Sequence, residues 1–505
     1  MEVTPFLGVQ LISPQNRPRT ASARDISLIP FRYQRLDSPP PDHKDTSMSL
    51  TSTDATPASL KPFTPRDVKI ASWICFFAWT VAVYDFVLFG NVLPIIAADL
   101  GLSESQSTGL NTWITVGTAL VAFGIGPVVD RFGRRKGIII AVAGAAVASL
   151  LTATAGVLVG LLGGLGLVAL VLIRSLAGLG YAEQAINAVY LNEVYASAGT
   201  NGAPMRRRGF IYSLVQSGWP VGAVLAATST ALLMPIGSWE LCFIVAAIPA
   251  LIVAFAARWL RESPQFSARV EVIKLHQRGE HAAAAELADK HNISDHHAES
   301  APLLEAFSGK SLRPLLTIGA AFLLNWIGVL VFSILGTSLL SAESGRNIPF
   351  NNTLLILVIS NGTSFLGYLF HGWLGDRIGR RNTIAIGWVL SAISFAIMLW
   401  MPSGSFGTVV TFYSLGLFFL IGPFSALLFF NGESFPSSTR ATAGSIINAL
   451  GQVGAIIGGL FVTASLAGGN TWNTTALWVG CLPILLGGLM ILAAPNKRPD
   501  TAPVD

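Results

Sequence analysis

Three charged side chains stand inside long apolar stretches of this 505-residue chain: Asp85, Arg174 and Glu183. An ionised group at the centre of a bilayer costs at least about 2.5 kcal/mol, so residues of this type mark functional positions. Asp85 follows Lys69 by 16 residues, and Arg174 precedes Glu193 by 19. At 1.5 Å per helical residue both lie roughly 24–28 Å from the basic ends of their segments, a depth at which they can pair. A carboxylate beside a guanidinium stays charged, whereas one stripped of that partner in apolar surroundings takes a proton. The pair therefore reads either as a proton carrier whose charge depends on helix position or as a structural buried pair. Glu183 is nine residues from Arg174, half a turn out of phase, so it faces elsewhere. It is a second proton site or a hydrogen-bonded helix contact. Arg174 is also available to an anionic substrate.

The other polar groups in apolar segments are neutral amides: Gln216, Asn325, Asn361, Asn448 and Gln452. Asn448 and Gln452 share one helix face at i,i+4. Amides can recognise a hydroxyl or a carboxylate without fixing a charge, and they serve equally as hydrogen bonds between packed helices. The ends of the segments carry a different chemistry. Gly126-Pro-Val-Val-Asp130-Arg131-Phe-Gly133-Arg134-Arg135 recurs 246 residues later as Gly372-Trp-Leu-Gly-Asp376-Arg377-Ile-Gly379-Arg380-Arg381. Glu193 and Glu433, 240 residues apart, precede Arg208 and Arg440 in the same way. Such carboxylates and arginines can exchange partners as helices move, with Glu193 and Glu433 the natural partners of Arg134 and Arg380. They form a gate, or they only set topology.

These residues need a membrane scaffold around them. The chain is 52% hydrophobic and 12% charged, about half the charge of a soluble domain, with a mean hydropathy of +0.60. That composition excludes an ordinary cytosolic enzyme and a nucleic-acid binder, although the net charge is +5. The expected fold is all-α: twelve transmembrane helices in two six-helix bundles, both termini cytoplasmic. Apolar segments of about 20 residues fall at 70–97, 108–129, 137–157, 163–192, 209–234 and 239–260, then at 314–341, 351–374, 382–401, 406–430, 441–467 and 472–494. The domains are a disordered cytoplasmic tail (1–66, with ten of the 27 prolines), a first bundle (67–260), a cytoplasmic linker (261–312), a second bundle (313–494) and a short tail (495–505). Orientation follows from Arg131–Lys136, Arg206–Arg208, the linker, Arg377–Arg381 and Arg440, all on one side, with Arg346 the single basic residue in the opposite loops. Cys75, Cys242 and Cys481 have no metal or disulfide spacing, and the linker histidines match no strong metal site. No phosphate-binding G-x-x-x-x-G-K-[ST] loop occurs, which removes an ATP-driven pump.

The doubled G-x-x-x-D-R-x-G-R-R loop in a six-plus-six context resembles the major facilitator superfamily over about 65–495. Arg174-Ser-Leu-Ala-Gly178-Leu-Gly180 is similar to that family's R-x-x-x-G-x-G pattern, which implies proton coupling. Arg261-Glu262-Ser-Pro264-Gln265-Phe266 resembles the P-E-S-P-R element of sugar porters and metabolite symporters, departing at its first residue and at Gln265. Gln216-Ser-Gly-Trp-Pro-Val-Gly222 and Tyr84-Asp85 resemble organic-acid and aromatic-acid proton symporters, whose fuller D-G-x-D motif is absent. The resemblance implies two bundles related by an axis along the membrane normal. It further implies a monomeric secondary transporter in the lipid bilayer of the cell membrane, with no cofactor or metal, the proton gradient as energy source, and no nucleic acid. The expected function is proton-coupled uptake of a small organic acid, an anion. The alternatives are a sugar porter and a proton-coupled exporter, whose G-P-x-x-G-G pattern Gly218-Trp-Pro220-Val-Gly222 only half matches. A single cysteine at position 104 or 345 should react with an impermeant maleimide from the outer face alone; reaction only from the cytoplasmic face would reverse the topology.

Overall fold

The computed structural model describes residues 63–198, 208–290, 307–436 and 439–496, and these are helical with no strand among them. Local rules start the helices where the sequence supplies caps. Thr64 and Asp67 form a capping box with Pro65 in the first turn, opening the helix Pro65–Asp99. Ser103 and Gln106 do the same for Glu104–Gly124. Gly133 (φ 97°) and Gly379 (φ 87°) take backbone angles closed to other residues, and each turns the chain straight into a new helix, Arg134–Thr152 and Arg380–Trp400. The glycine of the repeated loop is thus a hinge between antiparallel helices.

Ten helices are long and apolar enough to cross a membrane. Two more helical stretches lie between them, Glu104–Gly124 and the pair Arg208–Gln216 and Gly218–Leu233. Glu104–Gly124 is less apolar because its buried face carries Thr108, Asn111, Thr112, Thr115 and Thr118. Those residues meet the other half of the molecule, not lipid: this helix packs along Arg440–Ala467, and Phe350–Ile378 packs along Gly218–Leu233. The two seams exchange corresponding helices of the two halves. At the end away from the basic loops they are closed further by Thr463 to Thr108 (3.2 Å), Thr337 to Asn91 (3.4 Å) and Ser344 to Glu104 (3.2 Å). There Gly90 sits so close to the Ile334 carbonyl that a Cβ has no room. Ile334 ends a π-helical turn, Leu330–Ile334, that interrupts its helix.

Three local features differ from simple segment reading. The stretch after the third apolar segment folds into its own short helix, Ala155–Leu162, ended by Gly163 in a positive-φ turn, because Ala153 and Thr154 break the preceding helix. The linker contributes two helices, Pro264–Gln277 and His281–Lys290; His291, His296 and His297 lie outside the described residues. Finally, Arg346 is no surface charge. It is fully buried, donating to the carbonyls of Leu399 (3.1 Å), Met401 (2.7 Å) and Pro402 (2.7 Å). Those carbonyls end the helix Arg380–Trp400, where backbone acceptors lack helical partners and favour a cation. Arg346→Ala should therefore cost about 3 kcal/mol and lower the melting temperature of the purified protein. Lysine, a single-point donor, should restore only part of it.

Candidate functional site

Asp85 and Arg174 meet inside the first bundle. Arg174 Nη1 lies 3.1 Å from Asp85 Oδ1, and both side chains are almost wholly buried. Arg174 Nη2 reaches the Asp85 carbonyl at 3.3 Å, and the Ser149 hydroxyl donates to the same carboxylate oxygen. Phe89 and Phe243 lie on the guanidinium, each centroid 5.2 Å away, within cation–π range. The centre takes one group from each of four helices: Pro65–Asp99, Arg134–Thr152, Gly164–Ser175 and Trp239–Ala256. All these partners of Arg174 belong to the first bundle.

Glu183 stands apart from this pair. It is fully buried in Gly178–Ser197, and neither carboxylate oxygen has a hydrogen-bond partner. The amide of Asn187, one turn on, is directed to the Cys75 carbonyl (3.1 Å). Next to Glu183, Gln184 donates to Gln216 (3.1 Å), which donates to the Tyr212 hydroxyl (3.1 Å), so Gln216 is held within its own half. In the second half Asn361 donates to the Leu357 carbonyl (2.9 Å), a bond within its own helix, and Asn448 is half-buried. Asn325 and Gln452 are different: buried, with both amide atoms unpartnered.

The repeated loops are tied to the helix ends beside them. Arg134 Nε lies 3.6 Å from Glu193 Oε1, and Arg380 Nη1 lies 3.0 Å from Glu433 Oε1, with Asp376 at 3.5 Å on its other nitrogen. Arg135 donates to the Arg258 carbonyl (2.6 Å), and Arg381 to those of Leu492 (3.3 Å) and Ala494 (3.2 Å), so each motif arginine fastens the last helix of its own half. The halves diverge at one point. In the first, Glu262 Oε1 accepts from the backbone N–H groups of Arg134 (2.8 Å) and Arg135 (3.1 Å), a carboxylate on a helix N-terminus. In the second, Asn496 stands beside Gly379 instead. Gly126 opens the helix Gly126–Phe132, Arg131 lies near the Phe132 ring and Arg377 lies over the Trp373 ring. Arg440 reaches the Phe435 carbonyl at 3.5 Å. The side chains of Asp130 and Arg208 lie outside the described part.

Several well-placed residues went unnoticed in the sequence. Ser149 is one; an isolated serine in an alanine-rich helix carries no signal. Glu262 is another, visible only as part of a motif. His371 is a third, buried against Phe418 and Phe419 with Nδ1 2.8 Å from the Gly367 carbonyl; its signal was available, as the one histidine in an apolar segment. Between the halves, Phe86, Tyr181, Trp219 and Trp326 touch ring to ring. No group of His, Cys, Asp or Glu among the described residues is arranged to hold a metal.

The sequence profile of the family described as "Sugar (and other) transporter" matches residues 68–494. The chain is 26% identical over 438 residues to the "Probable 4-methylmuconolactone transporter" of Cupriavidus pinatubonensis, covering 85% of this chain and 91% of that one. It is 26% identical to the gallate transporter of Pseudomonas putida (88% and 99% covered) and 26% identical to the cis,cis-muconate transport protein of Acinetobacter baylyi (86% and 95%). The fold is similar to that of the xylose transporter XylE from E. coli in its inward-open conformation, with a TM-score of 0.62 at 17% identity, covering 86% and 98% of the two chains. The paired loop ties make a direct test of gating. Glu433→Gln leaves Arg380 with a neutral partner at a half-exposed site, a loss of about 1 kcal/mol, and should change the transport rate roughly fivefold. Ligand affinity, measured by calorimetry, should stay within about twofold, since the loop touches neither the buried pair nor the amides.

Proposed function

Since this chain belongs to the sugar (and other) transporter family of the major facilitator superfamily, we propose that it is a secondary active transporter carrying a small organic acid inward with protons, by alternating access. It is a transporter and not an enzyme, as its named relatives are. The reading places twelve spans in the cell membrane with both termini cytoplasmic, a monomer driven by the proton gradient alone. The names of the relatives support the substrate class: muconate and gallate are carboxylates, and a muconolactone carries one.

The observation that carries the coupling is the buried Asp85–Arg174 pair. Protonating Asp85 cancels half of an ion pair that has no water around it, which loosens Arg174 from its carboxylate and from Ser149. Arg174 presses on Phe89, and the next residue, Gly90, is seated against the Ile334 carbonyl of the second half. A change of charge at Asp85 thus reaches the seam between the halves through two adjacent residues of one helix. Neutralising the pair releases that seam, and the ligand and the proton cross together. Glu183, buried and unpaired, is the second proton-accepting group in this scheme. Arg174 serves first as the counter-ion of Asp85 and attracts an anion once released.

A carboxamide keeps the shape of Asp85 and cannot exchange a proton. Asp85→Asn should abolish pH-driven accumulation in proteoliposomes and preserve exchange of preloaded substrate down its gradient. Full accumulation in that variant removes Asp85 from the mechanism and leaves Glu183.

A further inference from the structure

Four aromatic rings close a collar between the two halves. Phe86 lies 5.6 Å from Tyr181, Tyr181 6.2 Å from Trp326, Trp326 6.0 Å from Trp219, and Trp219 6.3 Å from Phe86, centroid to centroid. Three rings come from the first bundle and Trp326 from the second. The two contacts of Trp326 are edge-to-face, at 80° and 83°. These are the only ring contacts across the bundles among the described collar residues, and they part whenever the halves move. Room for Trp326 is made by Gly451, where a Cβ would stand 2.9 Å from the indole nitrogen.

The collar is polar where it needs a ligand. Trp219 and Trp326 are buried, and neither indole N–H has a hydrogen-bond partner; the Tyr181 hydroxyl and both amide atoms of Gln452 are also without one. Buried donors are almost always paired, so a cluster of unpaired ones at a single place marks a site that a ligand completes. An indole N–H donates and cannot accept. A sugar hydroxyl brings a donor along with its acceptor and suits amides better than indoles, whereas a carboxylate only accepts. Ring faces on two sides favour a flat partner that can slide between them.

We propose that the collar of Phe86, Tyr181, Trp219 and Trp326 binds a planar, conjugated monocarboxylate, ring or chain against the aromatic faces and carboxylate oxygens on the indole N–H groups. This rests on the organic-acid reading above and narrows it to a shape. Trp326 travels with the second bundle, so the same contacts that select a flat acid also report on whether the halves are together.

The test uses benzoate and cyclohexanecarboxylate, which are monoanions at pH 7 of nearly equal size and differ in flatness. Binding to the purified full chain is measured by calorimetry, with D-xylose as a third probe. Benzoate should bind about tenfold more tightly than its saturated counterpart, the scale of one aromatic contact. Trp326→Leu should bring the ratio towards one, and Trp326→Phe, which keeps a ring and loses the N–H, should weaken benzoate while keeping much of the ratio. Equal affinity for the two acids overturns the collar as a selector and leaves the organic-acid reading standing. Binding of D-xylose with neither acid bound overturns both.

Discussion

A guanidinium inside a membrane bundle has no water to turn to, and much of the first bundle's interior is arranged around giving Arg174 partners. Asp85 supplies the charge, Ser149 secures the carboxylate, and Phe89 and Phe243 cover the flat faces of the cation. Because each group comes from a different helix, the centre is a knot through which four helices are held in register. Breaking a buried pair by removing one partner costs about 3–5 kcal/mol, so the knot is both a support and a vulnerability. One proton on Asp85 attacks it without any mutation at all.

The two halves repeat one plan and then depart from it. The loop motifs are near-copies down to the glycine angle and the carbonyls their arginines fasten. The interiors are not copies: charge is confined to the first half, while the second offers Asn325, Asn361 and Gln452, hydroxyl pairs such as Ser360–Ser414 at 2.9 Å, and a single indole reaching across. On the reading developed here, an ancestral symmetric bundle pair has split its duties. One half handles the proton, and the other meets the ligand from a neutral wall.

How much of this was legible beforehand depends on the kind of interaction. Apolar length and basic loops announce helices, since both follow directly from the cost of putting polar backbone and charge in lipid. The equal depth of Asp85 and Arg174 needed only a count of residues along straight helices. The collar could not be seen, because tryptophans in an apolar segment look the same whether they face lipid, core or ligand. Only the fold tells Trp373, half exposed, from Trp326, buried between bundles. Arg346 misled for the opposite reason: loop position suggested a solvated charge, and only three-dimensional packing brings the carbonyls of a distant helix end to it.

Glu262 lies beyond the last helix of the first half, in the stretch a domain map assigns to the linker, yet its carboxylate seats the N-terminus of Arg134–Thr152. Ser263 then caps Pro264–Gln277, whose own start is therefore part of the same clasp. The natural seam of the polypeptide is consequently not where hydropathy falls. If the transporter is expressed as two separate fragments that reassemble in the membrane, a cut just after Leu260 strands the clasp on the wrong piece, whereas a cut past Gln277 lets each piece keep the parts that hold it closed.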